Sequence, residues 1–209
     1  MSDSVTQASN VLLASSSPYR RELLQRLGLD FDWAAPEIDE TALPGEAPEA
    51  LVQRLAAEKA RALQADFPDR LIIGSDQVAT LDESILTKPL TRERAIAQLT
   101  TCSGRRVRFF TGLALLDAAS NHLSIHLEPF DVVFRSLSSE DVTNYVDRET
   151  PFDCAGSFRV EGPGIALFQA LEGRDPNALI GLPLIALCDL LRERGINPLQ
   201  ARPLTPGRI

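Results

Sequence analysis

Short apolar runs alternate along this chain with segments whose apolar residues recur every three or four positions, an alternation that points to an α/β layered sheet. Val11 to Ala14 reads as a strand, and Ser17 and Pro18 supply an N-cap and first helical position for a helix. That helix turns Leu23, Leu24 and Leu27 inward and stops at Gly28. Phe31 to Ala35 is a second strand, and a long helix is expected from about Pro48 to Phe67. Leu71 to Ile73 is a third strand, with Gly74 breaking its pattern before Ser75-Asp76-Gln77, and 78–87 is again strand-like. Thr91 caps a helix carrying Ala95, Ile96 and Leu99 that ends near Gly104. Residues 106–117 and 123–135 form a hairpin around the polar turn 118–121, so the sheet is mixed. Ser138 and Asp141 read as a capping box for a helix to about Arg148. Strands are expected at Cys154 to Val160 and at Ile165 to Phe168, separated by Gly162-Pro163-Gly164. Pro183 opens a last helix with Leu184, Leu187, Cys188 and Leu191 on one side, closed by Gly195.

The 209 residues, 44% of them hydrophobic, suit one well-buried domain over 11–197, with a disordered leader at 1–10 and a loose tail at 198–209. A net charge of −8 is a poor basis for holding nucleic acid by a general basic surface, so any phosphate must be met by a few gathered cations. No apolar run is long enough to span a membrane, the N-terminus has no signal-peptide pattern, and the cytoplasm is the expected location. Three scattered cysteines, an odd number, argue against a disulfide framework and against a cysteine zinc site. His122 and His126 share a strand face with no third ligand nearby, which favours a solvated hairpin face over a metal pair.

A few residues break the pattern. On the helix near 48–67, Val52, Leu55, Ala56 and Leu63 form the apolar stripe, and Lys59 projects within about 20° of Val52, at the stripe's centre. Such a lysine either snorkels past the edge or aims its ammonium at carboxylates or phosphates. Ser15-Ser-Ser-Pro-Tyr-Arg-Arg21 follows a strand and opens a helix, placing N–H groups, hydroxyls and two arginines where an anion binds, although Ser-Pro also starts many ordinary helices. Asp76 stands just past the carboxyl end of an apolar strand, where open α/β sheets hold ligands. It is suited to hold Mg²⁺, to act as base toward a water, or to cap a turn. Glu37, Asp39 and Glu40 form an acidic cluster that is either a solvated loop or a source of a second metal ligand. Lys88 places another ammonium at the same rim.

Taken in order, LLASSSPYRRELL (12–24), PEIDE (36–40), RLAAEKA (54–60), IIGSDQV (72–78), TKPL (87–90), SGRRV (103–107), FTGLAL (110–115), CAGSF (154–158) and GLPL (181–184) resemble the Maf family of nucleoside triphosphate pyrophosphatases. The resemblance implies a mixed, curved sheet flanked by helices, with two lobes and a cleft between them. It implies hydrolysis of a nucleoside triphosphate to the monophosphate and pyrophosphate, with a divalent cation, Mg²⁺ or Mn²⁺, as cofactor, and it suggests a homodimer. The family's proton acceptor falls on Asp76. Its acidic-motif glutamate, two motif lysines and paired arginines fall on Glu40, Lys59, Lys88, Arg20 and Arg21, with Ser15 beside them. Glu40 and Asp76 are the expected metal ligands.

The family divides by substrate. Tyr19, Gln77 and Glu161 depart from the dTTP/UTP pattern and resemble the 7-methyl-GTP branch. N7-methylguanine carries a delocalised positive charge, which Tyr19 can stack against and Glu161 can balance while accepting from the guanine N1–H and N2 amine. The alternatives are a dTTP/UTP pyrophosphatase of the same family and a nucleotide-binding regulator of cell division.

Overall fold

The computed structural model describes residues 10–82, 84–160 and 162–200; the expected leader, all but Asn10, and the tail beyond Gln200 lie outside them. Among the described residues the chain forms a seven-stranded mixed sheet with five α-helices packed around it. The strands are β1 (Val11–Ala14), β2 (Phe31–Ala34), β3 (Leu71–Leu81), β4 (Ser84–Leu86), β5 (Arg106–Asp117), β6 (His122–Phe134) and β7 (Phe168–Gly173). The helices are α1 (Pro18–Gln25), α2 (Pro48–Ala62), α3 (Arg92–Cys102), α4 (Ser139–Glu149) and α5 (Leu184–Glu193). No helix among the described residues is long and apolar enough to cross a membrane.

The sheet runs β2-β1-β3-β5-β6-β7, with β1 parallel to both β2 and β3 and the pairs from β3 through β7 antiparallel. β5 lines one whole edge of β3, from Leu71 to Leu81. The other edge is shared: β1 pairs with Leu71–Gly74 and β4 with Ala79–Leu81. Residues 75–78 therefore face a gap between two partner strands, and this gap divides the molecule into two lobes.

Strand alternation sorts the core. Leu71 and Ile73 point into a cluster with Leu13, Leu23, Leu24, Leu113 and Leu187, under α1 and α5. Ile72 points the other way, toward Leu12, Ala56, Ala60 and Leu116, under α2. Beyond the gap, Ala79, Leu81, Leu99, Val107, Phe130 and Val146 form the second lobe's core. Phe109, Phe134, Phe158 and Phe168 meet there edge to face, with centroids 4.9 to 5.5 Å apart.

Three expectations need correction. Gly74 does not end the third strand, which continues to Leu81; it lets α2 lie directly on the sheet, since a Cβ there would meet Ala56 O at 2.0 Å. The segments expected as strands at 154–160 and 165–168 are instead 3₁₀ turns at Ala155–Ser157 and Gly162–Leu167, with β7 starting only at Phe168. Gly156 at φ 78° and Ser157 at φ 63° are left-handed, a conformation that interrupts an extended strand. The α2 helix stops at Ala62 rather than near Phe67, as Leu63 relaxes to φ −99°, ψ 0°. The hairpin, the capping box at Ser138 and Asp141, and the helix after Pro183 stand where expected. On that hairpin His126 contacts Glu128, which Arg174 also grips.

Candidate active site

The gap beside 75–78 opens into a cleft of about 470 Å³. Ser15, Tyr19 and Arg20 line it from the β1–α1 turn, Lys59 from α2, Asp76 and Gln77 from β3, and Glu40 and Lys88 from loops. Asp76 is therefore not past the end of its own strand, as the sequence suggested. It lies in the middle of β3, beyond the end of the neighbouring β1, whose Ala14 pairs with Gly74.

Lys59 does not snorkel. It is 6% exposed, and its ammonium lies 2.6 Å from Asp76 Oδ1 and 2.7 Å from Glu40 Oε1. The closeness of α2 to the sheet explains how it reaches them. Gly74 sits beneath Ala56, and Gly112, the partner of Asp76 across β3 and β5, sits beneath Val52, where a Cβ would meet Val52 O at 2.1 Å. Helical side chains lean toward the N-terminus, so Lys59 reaches back over Gly74 toward the carboxylate. The Lys59 hydrogen bond holds the Glu40 carboxyl below its ordinary value, with the charges of Lys59, Arg20 and Lys88 adding to the effect against partial burial.

Strand alternation sends Ser75 and Gln77 to the opposite face from Asp76. Ser75 Oγ donates toward Gly112 O and Gly181 O, each at 2.8 Å. Gly181 O also accepts from Arg20 Nε at 2.8 Å. This one carbonyl, at a glycine with φ 107°, ties α1 to the turn before α5. Burial lowers the Arg20 pKa from the arginine value, and Asp76 and Glu40 push it back up. Gln77 donates to Ala178 O and to Thr111 Oγ1, so its amide NH₂ is held by the 176–180 turn while the side chain lines the cleft. Ser15 Oγ accepts from Ser17 N at 3.1 Å, and Ser17 Oγ caps α1 by accepting from Arg20 N.

Of the expected site residues, the structure gathers Ser15, Tyr19, Arg20, Glu40, Lys59, Asp76, Gln77 and Lys88 around one cleft. Arg21 is not among its lining residues. Its guanidinium lies 4.1 Å from the Trp33 ring centroid, and its Nε is buried with no hydrogen-bond partner among the described residues. Glu161 lies outside the described residues, although its neighbour Val160 lines the cleft. Asp153, Cys154 and Arg159 also line the cleft, and no sequence signal marks them individually as site residues. They lie in and beside the 3₁₀ turn at 155–157, where no helix or strand period marks a face; only the CAGSF string pointed there.

Glu40 and Asp76 offer hard carboxylate oxygens, close enough that one ammonium contacts both. Among the described residues no group of three or more His, Cys, Asp or Glu is placed to hold a metal. Mg²⁺ commonly takes only one or two carboxylates and completes its shell with waters and substrate phosphates, so the pair fits such an ion.

The family model described as Maf-like protein matches residues 10–194. A protein from Chromohalobacter salexigens named 7-methyl-GTP pyrophosphatase is 56% identical over 191 residues, covering 91% of this chain and 99% of that protein. The solved structure of the Staphylococcus aureus Ham1 protein aligns at a TM-score of 0.46 and 11% identity, over 88% of this chain and 98% of that one. The match across nearly the whole sequence means that this chain belongs to the Maf family.

Proposed function

We propose that the protein is a nucleoside triphosphate pyrophosphatase that hydrolyses 7-methyl-GTP to 7-methyl-GMP and pyrophosphate. The observation that carries the chemistry is the Lys59 ammonium joining Asp76 and Glu40 inside a cleft that Arg20 and Lys88 also line. The substrate assignment is supported by the Chromohalobacter relative's name and by Tyr19 and Gln77 lining that cleft.

In this reading the polyphosphate lies against Arg20, Lys59 and Lys88, with Ser15 and the N–H groups at the start of α1 beside it. Arg21, stacked on Trp33, stands outside this group. A water attacks the α-phosphorus and gives its proton to Asp76. The bond to the α–β bridging oxygen breaks, and pyrophosphate leaves with the electron pair. The cations neutralise charge that grows on the leaving group, an interaction strongest in the transition state. Lys59 contacts one oxygen of Asp76, which restrains the carboxylate and leaves the other oxygen to face the water. Glu40 and Asp76 are the residues that would hold a divalent cation, which would supply further charge neutralisation at the phosphates. The base stacks on Tyr19, with Gln77 and Glu161 completing the selection.

The test is release of pyrophosphate from 7-methyl-GTP, GTP, dTTP, UTP and CTP, each with Mg²⁺. Strong release from 7-methyl-GTP alone supports the assignment. A preference for dTTP or UTP would keep the chemistry and overturn the substrate, and no release from any of them would overturn both.

A further inference from the structure

We propose that Arg159 is a specificity-determining residue of the cleft, its guanidinium competing with a cationic base for the face of Tyr19. This inference rests on the 7-methyl-GTP reading. The Arg159 Cζ lies 5.9 Å from the Tyr19 ring centroid, within the range of a cation–π contact. Tyr19 stands on α1 and Arg159 beyond the 3₁₀ turn of the other lobe, so the contact crosses the mouth of the cleft.

Arg159 is placed by its surroundings. Its backbone N donates to Tyr145 Oη at 3.1 Å, and Gly164 packs so closely that a Cβ there would meet Arg159 O at 1.6 Å. The preceding Phe158 is locked edge to face with Phe109, Phe134 and Phe168. From this anchored backbone the side chain donates from Nη2 to Asp153 Oδ1 at 2.8 Å and from Nε to Cys154 Sγ at 3.3 Å. The contacts to Cys154 and Asp153 keep the guanidinium firmly charged, and its partner Asp153 is held below the ordinary carboxylate range.

A planar cation held against Tyr19 offers that ring the same interaction as a methylated guanine. Both cannot occupy one face, and two positive charges there repel each other. Binding of the base therefore requires the guanidinium to leave the ring, and its existing ion pair with Asp153 is what holds it back once it does. A neutral base must also displace the arginine but is spared the repulsion, so Arg159 weighs more heavily on the cationic substrate.

The experiment measures kcat and KM for 7-methyl-GTP and GTP with the wild type, Arg159→Gln and Asp153→Asn. Arg159→Gln is expected to lower KM for 7-methyl-GTP by about two- to five-fold, the range of an exposed cation–π contact, and to lower that for GTP less. Asp153→Asn, which removes the carboxylate that holds the guanidinium away from the base, is expected to raise KM for 7-methyl-GTP. A raised KM in Arg159→Gln would show the arginine gripping substrate and overturn the proposal; equal shifts for both nucleotides, or none, would also overturn it. If Arg159→Gln loses its fold, the Asp153→Asn arm decides. Failure of the wild type to hydrolyse 7-methyl-GTP would remove the functional reading and this inference with it, whereas wild-type turnover without the KM pattern removes the inference alone.

Discussion

Lys59 meets Asp76 at 2.6 Å because α2 rests directly on Gly74, two residues before the aspartate on β3. The lysine comes from a helix and the aspartate from a strand, and a glycine sets the distance between these elements. On the same side of the sheet Gly112 admits the backbone of Val52, so the helix is seated at two points.

Replacing Gly74 by alanine should therefore do more than strain the core. The added methyl must push α2 away from the sheet, an overpacking that costs about 1–3 kcal/mol, and it should draw the ammonium off Asp76. A lower melting temperature together with a fall in kcat is expected. Gly195→Ala is the comparison: at φ 75° with nothing within 4 Å, it should cost about 1–2 kcal/mol of backbone strain and leave kcat unchanged. Equal loss of activity in both variants would contradict the seating argument.

The ion pair can be separated from the chemistry by a double-mutant cycle. Lys59→Met leaves the buried Asp76 carboxylate without its partner and should destabilise the fold by about 3–5 kcal/mol. Adding Asp76→Asn removes the orphaned charge and should restore part of that stability, while activity stays lost. Denaturant unfolding of the four proteins measures this; strictly additive losses would mean that the two residues do not depend on each other.

The loop that carries Glu40 is tied down at its far end. Arg54 Nε and Nη2 donate to the two oxygens of Glu46, each at 2.7 Å, and Nη2 also reaches Thr41 O at 3.1 Å. The Arg54 hydrogen bonds hold the Glu46 pKa down to about 2 from an ordinary 4.5. A depressed carboxylate stabilises the fold above its unfolded value and ceases to as pH falls through its folded one. The stability difference between the wild type and Glu46→Gln should thus be constant above about 4.5 and shrink toward pH 2. A difference independent of pH would show that the carboxylate charge does not hold the loop.

Much of the fold was legible in the sequence, because its signals are local. Ser17 before Pro18, the capping box at Ser138, and the apolar runs of β1, β5 and β6 each carry their own start, stop or period. Lys59 stood out for the same reason, as a charge on an apolar stripe. Gly74 reads as a strand break because its value lies in the helix above it, which no local pattern reveals. The turns at 155–157 and 162–167 read as strands because each leads into a buried phenylalanine, Phe158 or Phe168, while the backbone that delivers it is left-handed or 3₁₀. Arg159 carries no local signal either, since its importance depends on Tyr19, 140 positions earlier in the chain.

The most direct test of the central claim is the product analysis of 7-methyl-GTP turnover by the wild type and by Asp76→Asn. The account predicts 7-methyl-GMP and pyrophosphate from the wild type, with the variant correctly folded and slower by about 100-fold or more, the usual scale for loss of a catalytic acid or base. A near-normal rate in Asp76→Asn, or release of inorganic phosphate in place of pyrophosphate, would contradict it.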